Sequence, residues 1–283
     1  MKRDSEMKAN CAKARLAVLI GILPGLWLAL LLAAPAEAAV QGREIVYQVD
    51  AEAFTGYLAF DDTQQGKRPG VIVAHEWWGH NAYARHRAEM LAQLGYTAFA
   101  LDMYGSGKLA EHPKDATAMM QAATSNPVRL KRRFNAAMRI LQAQPDVLSD
   151  HIAAIGYCMG GGIVLNMARA GLPLRGVAVF HGSLGTDSPV PPGRIQGEVA
   201  VFSGAADPYA PQGQVDAFER EMKAAGVHYV LKRYPGVKHS FTNPAADAYA
   251  ERFAMPLAYD AAADADSWQG LIVFLKRVFS QAE

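Results

Sequence analysis

The sequence predicts an α/β fold in which a mainly parallel sheet carries helices on both faces within one domain. Three observations predict it. Short β-branched or apolar runs alternate with helical patterns along most of the chain, which is the trace that strand-helix-strand units leave in a sequence. One run, Gly70 to Ala74 (GVIVA), is continuously apolar, as strands covered on both faces are. No internal repeat, low-complexity tract or linker divides the chain.

The elements follow in order. Glu44 to Val49 and Phe54 to Phe60 are expected to open the domain as an antiparallel pair, with alternating side chains at Tyr57, Leu58, Ala59 and Phe60. After the Gly70 to Ala74 strand, a helix is expected from about Ala82 to Leu94, closed by Gly95, and then a strand from Tyr96 to Leu101. From Pro127 to Gln144 the residues Leu130, Phe134, Ala137, Met138 and Leu141 recur at helical spacing. Further strands are expected at Ile152 to Ile155, Gly176 to Phe180, Val199 to Phe202 and Tyr229 to Tyr234. Helices fit near Gly160 to Ala170, Gln212 to Ala225 and Trp268 to Phe279.

Composition excludes several classes. The 283 residues are 51% hydrophobic and 19% charged, outside the range of disordered chains and of multi-span membrane proteins. The 28 basic and 27 acidic residues nearly cancel, so no polyanion partner is implied. Arg129, Lys131, Arg132, Arg133 and Arg139 fall mostly on one side of the Pro127 to Gln144 helix, and read as a solvated face rather than a nucleic-acid patch.

The first 38 residues differ from the rest. Lys2, Arg3, Lys8, Lys13 and Arg15 precede a stretch without charge from Leu16 to Ala36, and Ala36-Glu37-Ala38 follows. This pattern reads as an export signal over residues 1–38, cut before Ala39, with residues 39–283 forming the mature domain in a periplasmic or secreted location. The alternative is a retained anchor helix, because the apolar run approaches the length that spans a bilayer. Pro24 and Gly25 in mid-run and the small-residue cleavage pattern favour removal. Removal takes five basic and three acidic residues, turning the net charge from +1 to −1. It also takes Cys11, one of two cysteines. Cys158 is then unpaired within a monomer, and is either a buried packing residue or a reactive one. The mature product is expected to be a monomer without stable membrane association.

The sharpest chemical signal is Gly156-Tyr157-Cys158-Met159-Gly160, directly after an expected strand and opening an expected helix. This is the strand-turn-helix elbow that carries a nucleophile between two glycines, here with cysteine in place of serine. The helix beginning there offers free backbone N–H groups and a partial positive end, which favour a thiolate and a developing oxyanion. The competing reading is a set of glycines that only lets helix and strand pack around a buried cysteine. Chain order weighs against it. Asp207 follows the Val199 to Phe202 strand and His239 follows the Tyr229 to Tyr234 strand, the order nucleophile, acid, base that such hydrolases share. The competing roles are a turn residue before Pro208 for Asp207 and an ordinary loop histidine for His239. In the catalytic reading, His239 takes the thiol proton and returns it to the leaving group, and Asp207 fixes its tautomer.

A third element, His75-Glu76-Trp77-Trp78-Gly79-His80-Asn81, follows the Gly70 to Ala74 strand. It is one residue too long for the zinc helix H-E-x-x-H. At five residues apart two helical histidines diverge by about 140°, so no metal is expected. The loop is instead placed to supply a second oxyanion N–H.

The segments GVIVAHEWWGHN, YTAFALDMYG, GYCMGGG, SGAADPYAP and KHSF, in that order, resemble the dienelactone hydrolase family of α/β-hydrolases. The likeness runs from about Gly56 to Phe279. It implies an α/β-hydrolase fold with a cysteine elbow, a triad of Cys158, Asp207 and His239, and oxyanion donors at the backbone of Trp77 and Met159. No cofactor is implied. Glu76 matches the family's first-loop glutamate, which holds the resting thiol mostly protonated until substrate displaces it. Family members that open dienelactone grip its carboxylate with two arginines. Here the fourth residue after His239 is Asn243, and no arginine lies between Arg87 and Arg129. The resemblance therefore implies an ester, lactone or thioester hydrolase acting through an acyl-enzyme on a less anionic small molecule. An aromatic pocket wall of Trp77, Trp78, Tyr104 and Phe241, with Asn243 at the lost clamp position, favours uncharged, partly apolar groups. The alternatives are an inactive binding protein on a hydrolase fold and a redox thiol protein, the latter disfavoured by the lack of a resolving cysteine.

The leader reading predicts that protein recovered from an export-competent host begins at Ala39 and is soluble. N-terminal sequencing checks this, and Met1 retained in a membrane fraction would favour the anchor.

Overall fold

The computed structural model describes residues 40–280. The export signal expected over residues 1–38 and the new terminus at Ala39 lie outside the described residues. The strands are β1 (Val40–Val49), β2 (Glu52–Asp61), β3 (Arg68–Ala74), β4 (Thr97–Leu101), β5 (Val147–Tyr157), β6 (Gly176–Phe180), β7 (Glu198–Gly204) and β8 (Tyr229–Tyr234). The helices are α1 (Ala82–Gln93), α2 (Pro113–Thr124), α3 (Pro127–Gln142), α4 (Met159–Arg169), α5 (Gln212–Ala224), α6 (Ala246–Phe253) and α7 (Ala261–Ser280).

All eight strands join one sheet in the order β1-β2-β4-β3-β5-β6-β7-β8. From β4 to β8 the neighbours run parallel, and the β1–β2 hairpin closes one edge antiparallel. The hairpin turns at Asp50, whose φ of 56° suits the left-handed position of a two-residue loop. β3 shows why the strand runs are uniformly apolar. Its Ile72 and Ala74 join one core with Phe134 and Leu141 of α3, Ile163 of α4 and Phe218 of α5. Its Val71 and Val73 join the opposite core with Ala88 and Leu91 of α1 and Leu271 and Phe274 of α7. Period-two alternation therefore sends successive side chains into two different apolar layers.

The expected elements are present with shifted bounds. β1 begins at Val40, β5 begins at Val147, and α7 begins at Ala261. Helices α2 and α6 were not expected. Of their residues, α2 buries only Ala116 and Ala123, and α6 only Ala246, so neither carries the stripe of large apolar side chains that marks a helix in a sequence. Local chemistry starts α2: Pro113 occupies its first turn, and the His112 ring nitrogen accepts from the Lys114 N–H at 3.2 Å.

The topology fixes where chemistry can occur. From β3 the chain steps to β4 on one side and returns to β5 on the other, which opens a crevice at the carboxyl ends of β3 and β5. Two glycines allow the close approach there. A Cβ on Gly160 would lie 2.2 Å from the Ala74 carbonyl oxygen, and one on Gly156 would lie 2.1 Å from that of Gly160. On Gly162, two residues further along α4, the nearest atom would be 3.6 Å away.

Gly160→Ala and Gly162→Ala are therefore predicted to act with opposite sign. The first should cost about 1–3 kcal/mol by forcing backbone apart, lowering Tm by roughly 2–12 °C. The second should stabilise by about 0.5–1 kcal/mol through helix propensity. Thermal denaturation of both variants checks this, and equal effects would contradict the packing described.

Candidate active site

Five chemistry-bearing residues stand at the carboxyl ends of parallel strands. Glu76 follows β3, Cys158 follows β5, His181 follows β6, Asp207 follows β7 and His239 follows β8. Cys158 joins β5 to α4 with φ 53° and ψ −116°, a region that costs a non-glycine residue about 1–3 kcal/mol. Its N–H is held by two acceptors, the Phe180 carbonyl at 3.0 Å and His181 Nδ1 at 3.1 Å. Its carbonyl accepts from the Gly161 N–H at 3.1 Å.

His239 connects to both sides. Its Nδ1 lies 2.8 Å from Asp207 Oδ2, and its ring lines the same cavity as Cys158. The other Asp207 oxygen accepts from the Tyr209 N–H at 2.8 Å. A carboxylate can only accept, so Nδ1 carries a proton and Nε2 faces the sulfur. Burial opposes charge on His239, but the adjacent Cys158 and Asp207 outweigh it and raise its pKa to about 10. The arrangement can hold a thiolate and imidazolium together and deliver the imidazolium proton to a leaving group.

Neither the Trp77 nor the Met159 backbone N–H donates a hydrogen bond within the described residues. Both remain available to an oxyanion. The buried Tyr104 hydroxyl ties the two segments together, donating to the Trp77 carbonyl at 2.8 Å and lying 3.3 Å from Met159 Sδ.

Glu76 is buried, and its pKa is raised by desolvation. Among the described residues its hydrogen bonds go elsewhere than to the thiol that the resemblance pairs it with. Its Oε1 accepts from Ser240 Oγ at 3.1 Å and its Oε2 from Asn243 Nδ2 at 2.6 Å. Asn243 and Ser240 thus each engage one of its oxygens.

The expected pocket wall also needs correction. A cavity of about 350 Å³ lies over Cys158, lined chiefly by Trp77, Met120, Met159, Tyr209, His239 and Leu257. Trp78, Tyr104, Phe241 and Asn243 do not line it. Trp78 stacks on Tyr249 at 4.3 Å in a separate cluster with Phe253. Phe241 is fully buried between His181 and Tyr234. Asn243 is spent on Glu76, and Tyr104 on the Trp77 loop. Their aromatic or polar character was legible, but their direction was not.

His75 and His80 have different surroundings. His75 Nε2 accepts from the Met103 N–H at 3.2 Å, so its Nδ1 carries the proton and donates to the Glu76 carbonyl at 2.5 Å. Both nitrogens are thus engaged. His80 is buried with its Nε2 unpartnered, and burial lowers its pKa to about 3.

Sequence reasoning missed His181. It is fully buried, and burial, His239 and Arg87 push its pKa well below the usual value. It is therefore neutral, with Nδ1 accepting from Cys158 and Nε2 donating to Thr242 Oγ1 at 2.7 Å. Its place just after a buried parallel strand, equivalent to those of Cys158, Asp207 and His239, was the signal that could have found it.

Comparisons with known proteins point to one family. The dienelactone hydrolase family model matches residues 54–279. A solved dienelactone hydrolase-like promiscuous phosphotriesterase from metagenomic libraries is 34% identical, covering 84% of this chain and 98% of its own, with a TM-score of 0.79. A solved protein named m3DLH is 38% identical over 85% of this chain and 99% of its own, with a TM-score of 0.80. A putative carboxymethylenebutenolidase of Synechocystis is 27% identical over 76% of this chain and 87% of its own.

The His239 environment predicts a titration. Its folded pKa lies above the unfolded value near 6.5. The stabilisation that follows is complete below about pH 6.5 and is lost as pH rises through about 10. NMR of the His239 ring should show the imidazolium persisting to about pH 10, and Cys158→Ser should bring the titration down. A parent titration near 6.5 would overturn the raised pKa of His239.

Proposed function

The chain belongs to the dienelactone hydrolase family, whose members hydrolyse ester bonds, and on that premise we propose a thiol hydrolase of neutral esters, lactones or thioesters. Cys158 is the nucleophile, His239 the base and acid, and Asp207 the residue that orients His239. Trp77 and Met159 N–H groups receive the oxyanion. His239 already holds the thiol proton as imidazolium, and the thiolate attacks the acyl carbon to give a tetrahedral oxyanion. As the intermediate collapses, the C–O or C–S bond breaks and His239 gives its proton to the leaving group. Water, deprotonated by His239, then cleaves the acyl-cysteine, restoring the thiol and releasing the acid. The observation that carries this reading is the Asp207–His239 hydrogen bond set beside Cys158 in the wall of the cavity.

The wall supports neutral substrates. No lysine or arginine lines the cavity, so a substrate carboxylate would lose its hydration without gaining a partner. A relative described as a promiscuous phosphotriesterase favours a second activity on phosphotriesters at the same sulfur. These too are uncharged and suit a wall without cations. We carry the export reading forward as part of the proposal, with the enzyme acting outside the cytoplasm.

Cys158→Ala should lower kcat on nitrophenyl esters by at least about a thousandfold, in line with loss of a triad nucleophile. Intact-mass analysis after brief exposure to an activated ester should show an acyl adduct in the parent only. Undiminished turnover, or an adduct on another residue, would remove Cys158 from this role. A neutral lactone should be preferred over its ring-matched carboxylate by about tenfold or more, the scale of one unpaired charged hydrogen bond.

A further inference from the structure

The cavity over Cys158 does not end at its own wall. A second, larger space of about 640 Å³ runs between α3 and α4. The two spaces share Met120, Met159, Gly162 and Ser183, so they adjoin across these residues. Each volume falls in the range of small-molecule sites, about 300–1,000 Å³. Leu130, Ile163 and Met167 give the groove an apolar floor. At its outer end Val128 is 69% exposed, an apolar side chain left in water beside an apolar trough. Lys131 and Arg132 edge the groove, where their methylene stems can cover apolar surface while the charged heads stay in water. Arg132 is already paired with Asp50 at 3.1 Å.

We propose that this groove receives the acyl chain of the substrate, so that the enzyme acts on esters or thioesters of medium-length apolar acids. The inference rests on the hydrolase reading above and deepens it. Direction follows from proton transfer. His239 must reach the leaving oxygen or sulfur, so the leaving group lies at the His239, Met255 and Leu257 end of the cavity. None of those three residues lines the groove, which departs instead from the Met120 and Met159 side. A substrate carbonyl held by the Trp77 and Met159 N–H groups then points its acyl chain into the groove. Methionine at the junction fits a flexible chain, because its unbranched thioether fills irregular apolar space.

Two ester series on the full mature chain test this. In nitrophenyl acetate, butyrate and octanoate only the acyl side grows; in ethyl, butyl and octyl acetate only the alkoxy side grows. Since each buried methylene adds favourable transfer energy, kcat/KM should rise at least about tenfold from acetyl to octanoyl and change less than about threefold along the alkoxy series. Asn135, a groove residue on α3, provides two variants of opposite sign. Asn135→Trp should collapse the octanoyl to acetyl ratio, and Asn135→Leu should raise it. A flat acyl series in an enzyme that turns over acetate overturns the groove assignment and leaves the hydrolase reading standing. A rise confined to the alkoxy series overturns the direction. If no ester is turned over, the hydrolase reading fails, and calorimetry with octanamide decides the groove alone. Binding that Asn135→Trp abolishes supports it, and no binding overturns it.

Discussion

The backbone N–H of Cys158 holds the centre of this molecule. It reaches the Phe180 carbonyl and His181 Nδ1 together, and those two acceptors offset a backbone conformation that a cysteine does not adopt unaided. The rest is arranged around that anchorage. Gly156 and Gly160 give way so that α4 can start against β3, which brings the Met159 N–H and the Trp77 loop to the same crevice. The Tyr104 hydroxyl then joins those two segments.

Two histidines packed edge to face at 5.2 Å have been driven to opposite protonation states. Burial disfavours charge on both. His239 overcomes it through Cys158 and Asp207, whereas His181 has only a backbone donor and a hydroxyl as partners, and His239 itself pushes it further down. Separation of this kind leaves one ring charged and the other neutral at the same edge of the sheet. Arg87 closes the same region from behind. Its guanidinium donates to the Thr242 carbonyl at 2.6 Å and to Asp264 at 2.7 Å, fastening the segment after His239 to α1 and α7.

What could be read in the sequence was whatever depended on short-range pattern. The GVIVA run marked a strand covered on both sides, the Gly156 to Gly160 elbow marked the turn, and the order of Cys158, Asp207 and His239 followed from where the later strands end. Features decided by long-range packing were not legible. Whether Glu76 faces Cys158 or Asn243 depends on segments 167 residues apart. Trp78 and Phe241 occupy positions beside motif residues, but their rings fill gaps set by Tyr249 and Tyr234. Met120 sits on α2, an alanine-rich helix with no apolar stripe to reveal it.

The wall and the reacting groups are encoded in different parts of the chain. Met120 belongs to α2, and Met255 and Leu257 follow α6, while the reacting groups sit at strand ends under steric constraint. Because α2 and α6 bury so few of their own residues, selection can reshape the wall at small cost to folding. The shape of the cavity can thus change without disturbing the elbow, whose backbone leaves no room for a side chain at Gly156 or Gly160.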